Sequence, residues 1–328
     1  MTTLKDIAQL AQVSKSTVSR YLNNGQVSEK TAKKIEQVIA ETGYEPNALA
    51  RSLKATSSQL IGVIIPRFNS SSTSEVLAGI DEVAMKEGYN LLILNSNQNL
   101  QQEMEHIQTL DRQNVAGIIL FSQKFHPALL DIVSKTKAKI MILGQSFERF
   151  NYTTYDDYQA GKLIAQHAID LGHKDLLYIN PSEEDEAVGK VRAHGFIDWV
   201  EQYPVKYQVI SSSFDRLDNY RLAHQILPDI TATYIACATD RMAISFLKAA
   251  IELEIEVPSQ LSLSGFGGYN DGQFVHPNLT TVKYPFKEAG QVAMQSLLEG
   301  IEDQTEELKQ ITLGVELLQG KSTGPKKS

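Results

Sequence analysis

Cysteine is almost missing from this chain of 328 residues: Cys237 stands alone, which excludes an internal disulfide and fits a reducing compartment. No apolar run reaches the ~18–20 residues of a membrane span. The start, MTTLKDIAQL, shows no basic segment followed by an apolar stretch, so neither a secretion signal nor a membrane partner is expected. Catalytic signatures are scarce too. The stretch after the first apolar strand reads PRFNSSS rather than GxGxxG, and GFGG at 265–268 is too late and too short for a dinucleotide loop. There is no GxxxxGK[ST] loop, no HExxH helix and no Cys/His cluster, and the seven histidines are scattered. Catalytic residues, metal and cofactor are therefore all expected to be none. Cys237, inside the apolar run TYIACA, reads as core. Positive charge is also short, with 31 Lys and Arg against 39 Asp and Glu, a net −8 that on its own disfavours nucleic acid.

What is there changes that first impression. Up to Ser58 the chain holds eight bases and five acids, a net +3, leaving 23 bases against 34 acids, −11, for the rest. A small basic head on a large acidic body is the asymmetry to follow, although on charge alone a chance fluctuation of a few charges in a short segment accounts for it equally well. Within the head, Leu4, Ile7, Ala8 and Ala11 recur at helical spacing, and Gln12 and Val13 break the pattern. Ser14 then offers an N-cap for Lys15–Leu22, whose Val18 and Leu22 face inward. Two short helices joined by so tight a turn predict a helix-turn-helix, with Lys15, Ser16, Ser19 and Arg20 on the outer face as donors to bases or phosphates. Ser28 caps a third helix, about Glu29 to Thr42, with Thr31, Ile35, Val38 and Ile39 inward, and Gly43 ends it.

The run LKDIAQLAQVSKSTVSRYLNN, then VSEKTAKKIEQVIAETGYEPNALARSLK, resembles the DNA-binding head of the LacI/GalR family of bacterial repressors, and similarity continues to about Leu318. One departure is Gln12, where the family usually carries glycine; if the turn needs a positive φ, glutamine costs about 1 kcal/mol there. The resemblance implies that Lys15, Ser16 and Arg20 read the major groove while Thr17 and Tyr44 hold phosphates. Thr3, Ser14, Ser19, Asn23, Asn47, Arg51 and Lys54 complete the implied contact set. Asn47 to Leu53 would be a hinge helix, and Leu53 the wedge that unstacks a central base step and kinks the duplex. Seven residues are too few for a helix stable alone, since isolated helices below ~12–15 residues are marginal. The hinge is therefore expected to order on DNA or against a second copy, which makes it a natural switch.

From Leu60 onward, strand-length apolar runs (LIGVII, NLLILN, AGIILF, AKIMIL, DLLYIN, QVIS, TYIACA, QLSLSGF) alternate with helical patterns. This predicts an α/β class with parallel sheets covered on both faces. Eight strands suit one wide sheet or two smaller ones. The resemblance implies two: an N-terminal all-α helix-turn-helix head plus a bilobed periplasmic-binding-protein-like core of two doubly wound parallel sheets. The domains are then a head at 1–45, a hinge and linker at 46–58, an effector-binding and dimerisation core at 59–318 and a disordered tail at 319–328. Lobe 1 takes 59–157 and 284–305, lobe 2 takes 158–283 and 306–318.

Ligands of open α/β sheets bind beyond the carboxyl ends of the strands. After LIGVIIP come Arg67 and the polar run Asn69 to Ser74, which opens a helix. A cation and hydroxyls beside free N–H groups suit an anion, although helix capping by the same Ser and Thr, with Arg67 on a surface acid, accounts for them as well. Arg67, Ser71 and Thr73 are the candidates here. Family members often carry stacking aromatics in this segment, and their absence argues against a flat purine-like ligand. Asp156, where the lobes cross, suits ligand contact or hinge pairing. The resemblance adds Arg192, Phe214 and Asp240 as effector contacts. A carboxylate cap is the plainer reading of Asp240, and Gly267 and Gly268 replace the acid or amide usual in relatives.

The function implied is a cytoplasmic, nucleoid-associated homodimeric repressor bound to a double-stranded pseudo-palindromic operator. Its inducer would be a small sugar or sugar phosphate, a disaccharide or its phosphate, as in repressors of sucrose- and trehalose-type operons; Arg67 matches an arginine of the latter. The tail GKSTGPKKS lacks the leucine heptads of tetrameric relatives, so a dimer is expected. A global carbon regulator answering to a phosphocarrier protein is an alternative. It is disfavoured because the helix near 290–301 offers Glu299 and Glu302 with only Lys287 nearby. A corepressor-dependent purine-type repressor and a transport-type sugar-binding protein are further alternatives, the latter opposed by the basic head.

Overall fold

A computed structural model describes residues 3–22, 25–44, 58–122, 126–181, 183, 185–302 and 307–326. The hinge at 46–57 and the expected DNA contacts Asn23, Asn47, Arg51, Leu53 and Lys54 lie outside the described residues. The chain divides into a unit at Met1–Gln59 and a second at Leu60–Ser328.

In the first unit, α1 (Leu4–Leu10), α2 (Lys15–Leu22) and α3 (Glu29–Thr42) enclose a small core of Ile7, Ala8, Ala11, Val18 and Ile35. Thr3 caps α1 in a reciprocal box with Asp6, and Ser28 caps α3 through the Thr31 N–H. Gly43 closes α3 in the left-handed region, φ 60. Gln12 also sits at positive φ, 54, so the strain expected of this turn is present. A Gln12→Gly exchange should add about 1 kcal/mol to the head. Amide exchange at Ile7, Val18 and Ile35 in the full chain should slow about fivefold, a 1.4 kcal/mol change being tenfold.

The second unit holds two six-stranded sheets. The first contains β1 (Leu60–Ile65), β2 (Asn90–Asn95), β3 (Gly117–Phe121), β4 (Lys139–Leu143), β5 (Asn151–Tyr155) and β11 (Gln310–Leu313) in the order β11-β5-β4-β3-β1-β2. The second contains β6 (Asp175–Asn180), β7 (Lys206–Ser211), β8 (Tyr234–Cys237), β9 (Ser262–Gly267), β10 (Thr280–Lys283) and β12 (Glu316–Leu318) in the order β12-β10-β9-β8-β6-β7. Every described pairing is parallel except β10 with β12. In both sheets the winding reverses beside the first strand, between β1 and β3 and between β6 and β8. The carboxyl ends there are the crevices where such sheets take ligands.

One packing device is used twice. The helices α4 (Ser71–Lys86) and α12 (Phe286–Glu302) cross so closely that a Cβ on Gly79 would lie 2.0 Å from the Lys287 carbonyl oxygen, and one on Gly290 would lie 2.1 Å from that of Val76. In the other lobe α7 (Asp157–Asp170) crosses α8 (Arg192–Val200), with Gly161 at 2.0 Å from the Arg192 oxygen and Gly195 at 2.0 Å from that of Tyr158. Only a residue without a side chain admits such backbone approach.

Three features differ from the sequence reading. The eight expected strands are present, but polar β5 and short β10, β11 and β12 escape an apolar-run criterion. Residues 310–313 pair with β5 in the first sheet, so the last crossing lies at 314–315 rather than near 306. Residues 319–326 are not a loose tail. The Ser322 hydroxyl donates to the Leu263 carbonyl at 2.6 Å, and Thr323 Oγ1 meets His167 Nε2 at 2.9 Å. A polar sequence looks disordered until its hydroxyls are seen to satisfy buried partners.

Candidate functional site

In the head, Lys15, Ser16 and Arg20 are exposed along one face of α2, while Ser19 and Thr17 are half-buried. Ser14 accepts the Thr17 N–H at 3.1 Å and shares hydroxyl bonds with Ser16 and Thr17, so these hydroxyls set the start of the helix. Thr3 is committed to its own cap. The Tyr44 ring packs against the head core, which fixes its direction. Val18 faces inward and the opposite face is polar and cationic, as major-groove reading requires.

In the body, a cavity opens between the lobes at the carboxyl ends of both sheets. Arg67, Ser71, Thr73, Arg192 and Phe214 all line it; Asp156 and Asp240 do not. Asp156 caps α7, accepting the Gln159 N–H at 2.9 Å. The lobe-crossing carboxylate that reaches the cavity is its neighbour, Asp157. Asp240 is fully buried in the first turn of α10 (Asp240–Glu252), accepting the Thr281 hydroxyl at 2.5 Å and the Tyr269 N–H at 2.9 Å. Burial pushes its pKa up to about 6 against these hydrogen bonds. The expected effector contact is not what this carboxylate makes here, because its oxygens face protein rather than the cavity.

Arg192 lines the cavity as an already committed group. Its Nε and Nη2 donate to Asp157 Oδ1 at 2.9 and 2.6 Å, and Nη1 donates to the Ala238 carbonyl at 2.6 Å. The Tyr284 hydroxyl donates to the same carboxylate oxygen at 2.7 Å. Phe266 and Tyr284 sandwich the guanidinium at 5.0 and 4.8 Å. Burial opposes its charge, yet Tyr284 and Asp157 outweigh that and hold its pKa above the ordinary value. The effect is to tie α8 to the two crossings, at Asp157 and Tyr284.

Arg67, half-buried, lies over the Phe214 ring at 4.8 Å, and burial together with neighbouring Arg241 lowers its pKa. Arg241 also lines the cavity and was missed from sequence. A signal existed: a cation in the first turn of a helix opposes the helix dipole and needs a reason. Tyr155, Tyr269, Tyr284 and Phe286 were missed as well. Tyr284 and Phe286 stack at 5.4 Å and 9°, Tyr269 and Phe286 at 5.5 Å and 13°. Aromatic faces absent from residues 69–74 thus come from the far end of the chain, so their absence there does not by itself exclude a flat ligand. The Tyr155 hydroxyl is buried without a partner among the described residues. Asp185 lines the same cavity, caps the π-helical segment Glu186–Val191, and is pushed up by burial. Among the described residues no cluster of metal ligands occurs and no helix is long and apolar enough to cross a membrane.

Residues 3–47 match the model of bacterial regulatory proteins of the lacI family, and residues 165–323 match a periplasmic binding protein-like domain. The sucrose operon repressor of Staphylococcus xylosus is 35% identical over 96% of this chain and 98% of that protein. The HTH-type transcriptional repressor PurR of Pasteurella multocida is 29% identical over 98% of each. Among solved structures, the lac repressor dimer bound to operator and the anti-inducer ONPF superposes with a TM-score of 0.87, at 25% identity, over 98% of this chain and 99% of that one.

Proposed function

The chain belongs to the lacI family of bacterial regulatory proteins and is a transcriptional repressor, and from that premise we propose that it controls a sugar-utilisation operon and is released by a sugar phosphate. It acts as a cytoplasmic homodimer, placing two copies of α2 in successive major grooves of a pseudo-palindromic operator. Effector in the cleft changes the angle between the lobes, the hinge at 46–58 melts, and operator affinity falls. A coupling of ~1–3 kcal/mol corresponds to a ~5–150-fold loss of affinity.

The observation that supports this effector class is Arg67, standing beside the hydroxyl-lined start of α4 inside the cleft. The similarity to a sucrose operon repressor supports a disaccharide as the carrier of the phosphate. The test uses operator DNA selected by the protein from a random pool. Trehalose 6-phosphate or sucrose 6-phosphate should release the wild-type protein, and Arg67→Ala should bind the operator normally yet lose at least tenfold in sensitivity. An unchanged response in Arg67→Ala sinks the anionic reading. The aromatic wall favours a second reading, a flat corepressor; free purine bases would then raise operator affinity instead of lowering it.

A further inference from the structure

We propose that Arg241 is the second half of a phosphate clamp spanning the two lobes, so that the anion of the effector, rather than its sugar ring, draws the cleft shut. This rests on the sugar-phosphate reading and deepens it. The two arginines reach across the cleft in opposite directions. Arg67 follows β1 in the first lobe and lies over Phe214 of the second. Arg241, in α10 of the second lobe, donates from Nη1 to the Asn69 carbonyl of the first at 2.5 Å. Neither has an ion-pair partner among the described residues. Their hydrogen-bond and ring partners, a main-chain oxygen and an aromatic face, are neutral. Asp185 attracts Arg67 without forming an ion pair, and the buried Arg241 Nε has no partner among the described residues. Both side chains line the cavity, where guanidinium N–H groups not spent on protein can donate to a ligand.

The charge balance points the same way. The described cavity lining holds three arginines, Arg67, Arg192 and Arg241, against two aspartates, Asp157 and Asp185. Arg192 and Asp157 neutralise each other. An excess of cation survives inside an acidic body, and burial together with nearby Arg241 disfavours the charge on Arg67. Approach of the lobes brings two like charges together, which opposes closure of the empty cleft. A phosphate monoester carries about −1.5 to −2 at neutral pH and accepts forked hydrogen bonds from guanidinium groups. Placed between the two, it turns the repulsion into a bridge. A neutral sugar could occupy the same cleft and leave the repulsion in place.

Calorimetric titration of the full-length protein with trehalose 6-phosphate, sucrose 6-phosphate and the two parent sugars tests the clamp. The wild type should bind one phosphate ester at least tenfold more tightly than its parent sugar. Arg241→Gln should lose about tenfold of that preference, and Arg241→Lys should recover part of it as a point charge without the fork. Unliganded Arg241→Gln should unfold within about 2 °C of the wild type, a surface-sized effect that separates lost binding from lost fold. A preference for the ester equal in Arg241→Gln and wild type overturns the clamp alone, whereas a wild type that prefers the parent sugar overturns the sugar-phosphate reading with it. If none of the four compounds binds, the sugar-phosphate reading itself falls.

Discussion

Replacing Arg192 by leucine should destabilise the body by about 3–5 kcal/mol, the cost of leaving a buried charge without its partner. Asp157 is 4% exposed, and its Oδ1 accepts from Arg192 Nε, Arg192 Nη2 and the Tyr284 hydroxyl. Without the guanidinium that carboxylate must protonate or draw in water, and the Ala238 carbonyl loses its donor. Urea unfolding followed by far-ultraviolet dichroism should show a lower midpoint with an unchanged slope. The double variant Arg192→Leu/Asp157→Leu should recover at least half of the loss, because two apolar side chains leave no charge stranded. A single-variant loss below about 1 kcal/mol, the range of exposed pairs, would show that the pair is solvated in solution. Effector response should vanish in the double variant even where stability returns, since Asp157, Arg192 and Tyr284 together join α8 to both crossings.

A Gly161→Ala exchange should cost about 3 kcal/mol, the upper range for overpacking, although alanine is the better helix former. The added Cβ would stand 2.0 Å from the Arg192 carbonyl oxygen and 2.7 Å from the Phe196 nitrogen, both main-chain atoms that cannot rotate away. The helices α7 and α8 must therefore separate along their length. Gly300→Ala, near the end of α12 with nothing within 4 Å of its Cβ, is the matched control and should be neutral or stabilising by up to about 1 kcal/mol. Thermal unfolding of both variants side by side measures the difference. Equal midpoints would mean that the close crossing at Gly161 relaxes without penalty. Because Asp157 opens α7 and Arg192 opens α8, the same exchange should also weaken effector binding.

Local pattern made much of this protein legible. The spacing of Ile7, Ala8, Ala11 and Val18 placed the first two head helices and that of Thr31, Ile35, Val38 and Ile39 the third, while Gln12 marked the strained turn between the first two. The apolar runs located eight of the twelve described strands. The four it passed over are short or polar: β5 reads NYTTY, and β11 and β12 have no fully buried residue. In the effector site, strand ends led to Arg67, Ser71 and Thr73 and the family resemblance to Arg192 and Phe214, all on the cavity. They also led to Asp156, one residue short of Asp157, because chain position does not say which of two adjacent carboxylates turns inward.

The sparing use of cysteine and the split of charge into a +3 head and a −11 body are properties of the chain itself, and so are the helical and strand periods. They determine the class of fold and the presence of a DNA-binding head, because hydrophobic period and net charge are sums over neighbours in sequence. Tertiary structure alone decided which polar groups are free to act. Asp240 is spent on Thr281, Arg192 on Asp157, and Ser322 on Leu263, across separations of 41, 35 and 59 residues. Arg241 lines the cleft near Arg67 without an ion pair among the described residues. Burial and pairing are set by atoms distant in sequence, and the same aspartate or arginine is structural or ligand-binding according to who meets it there.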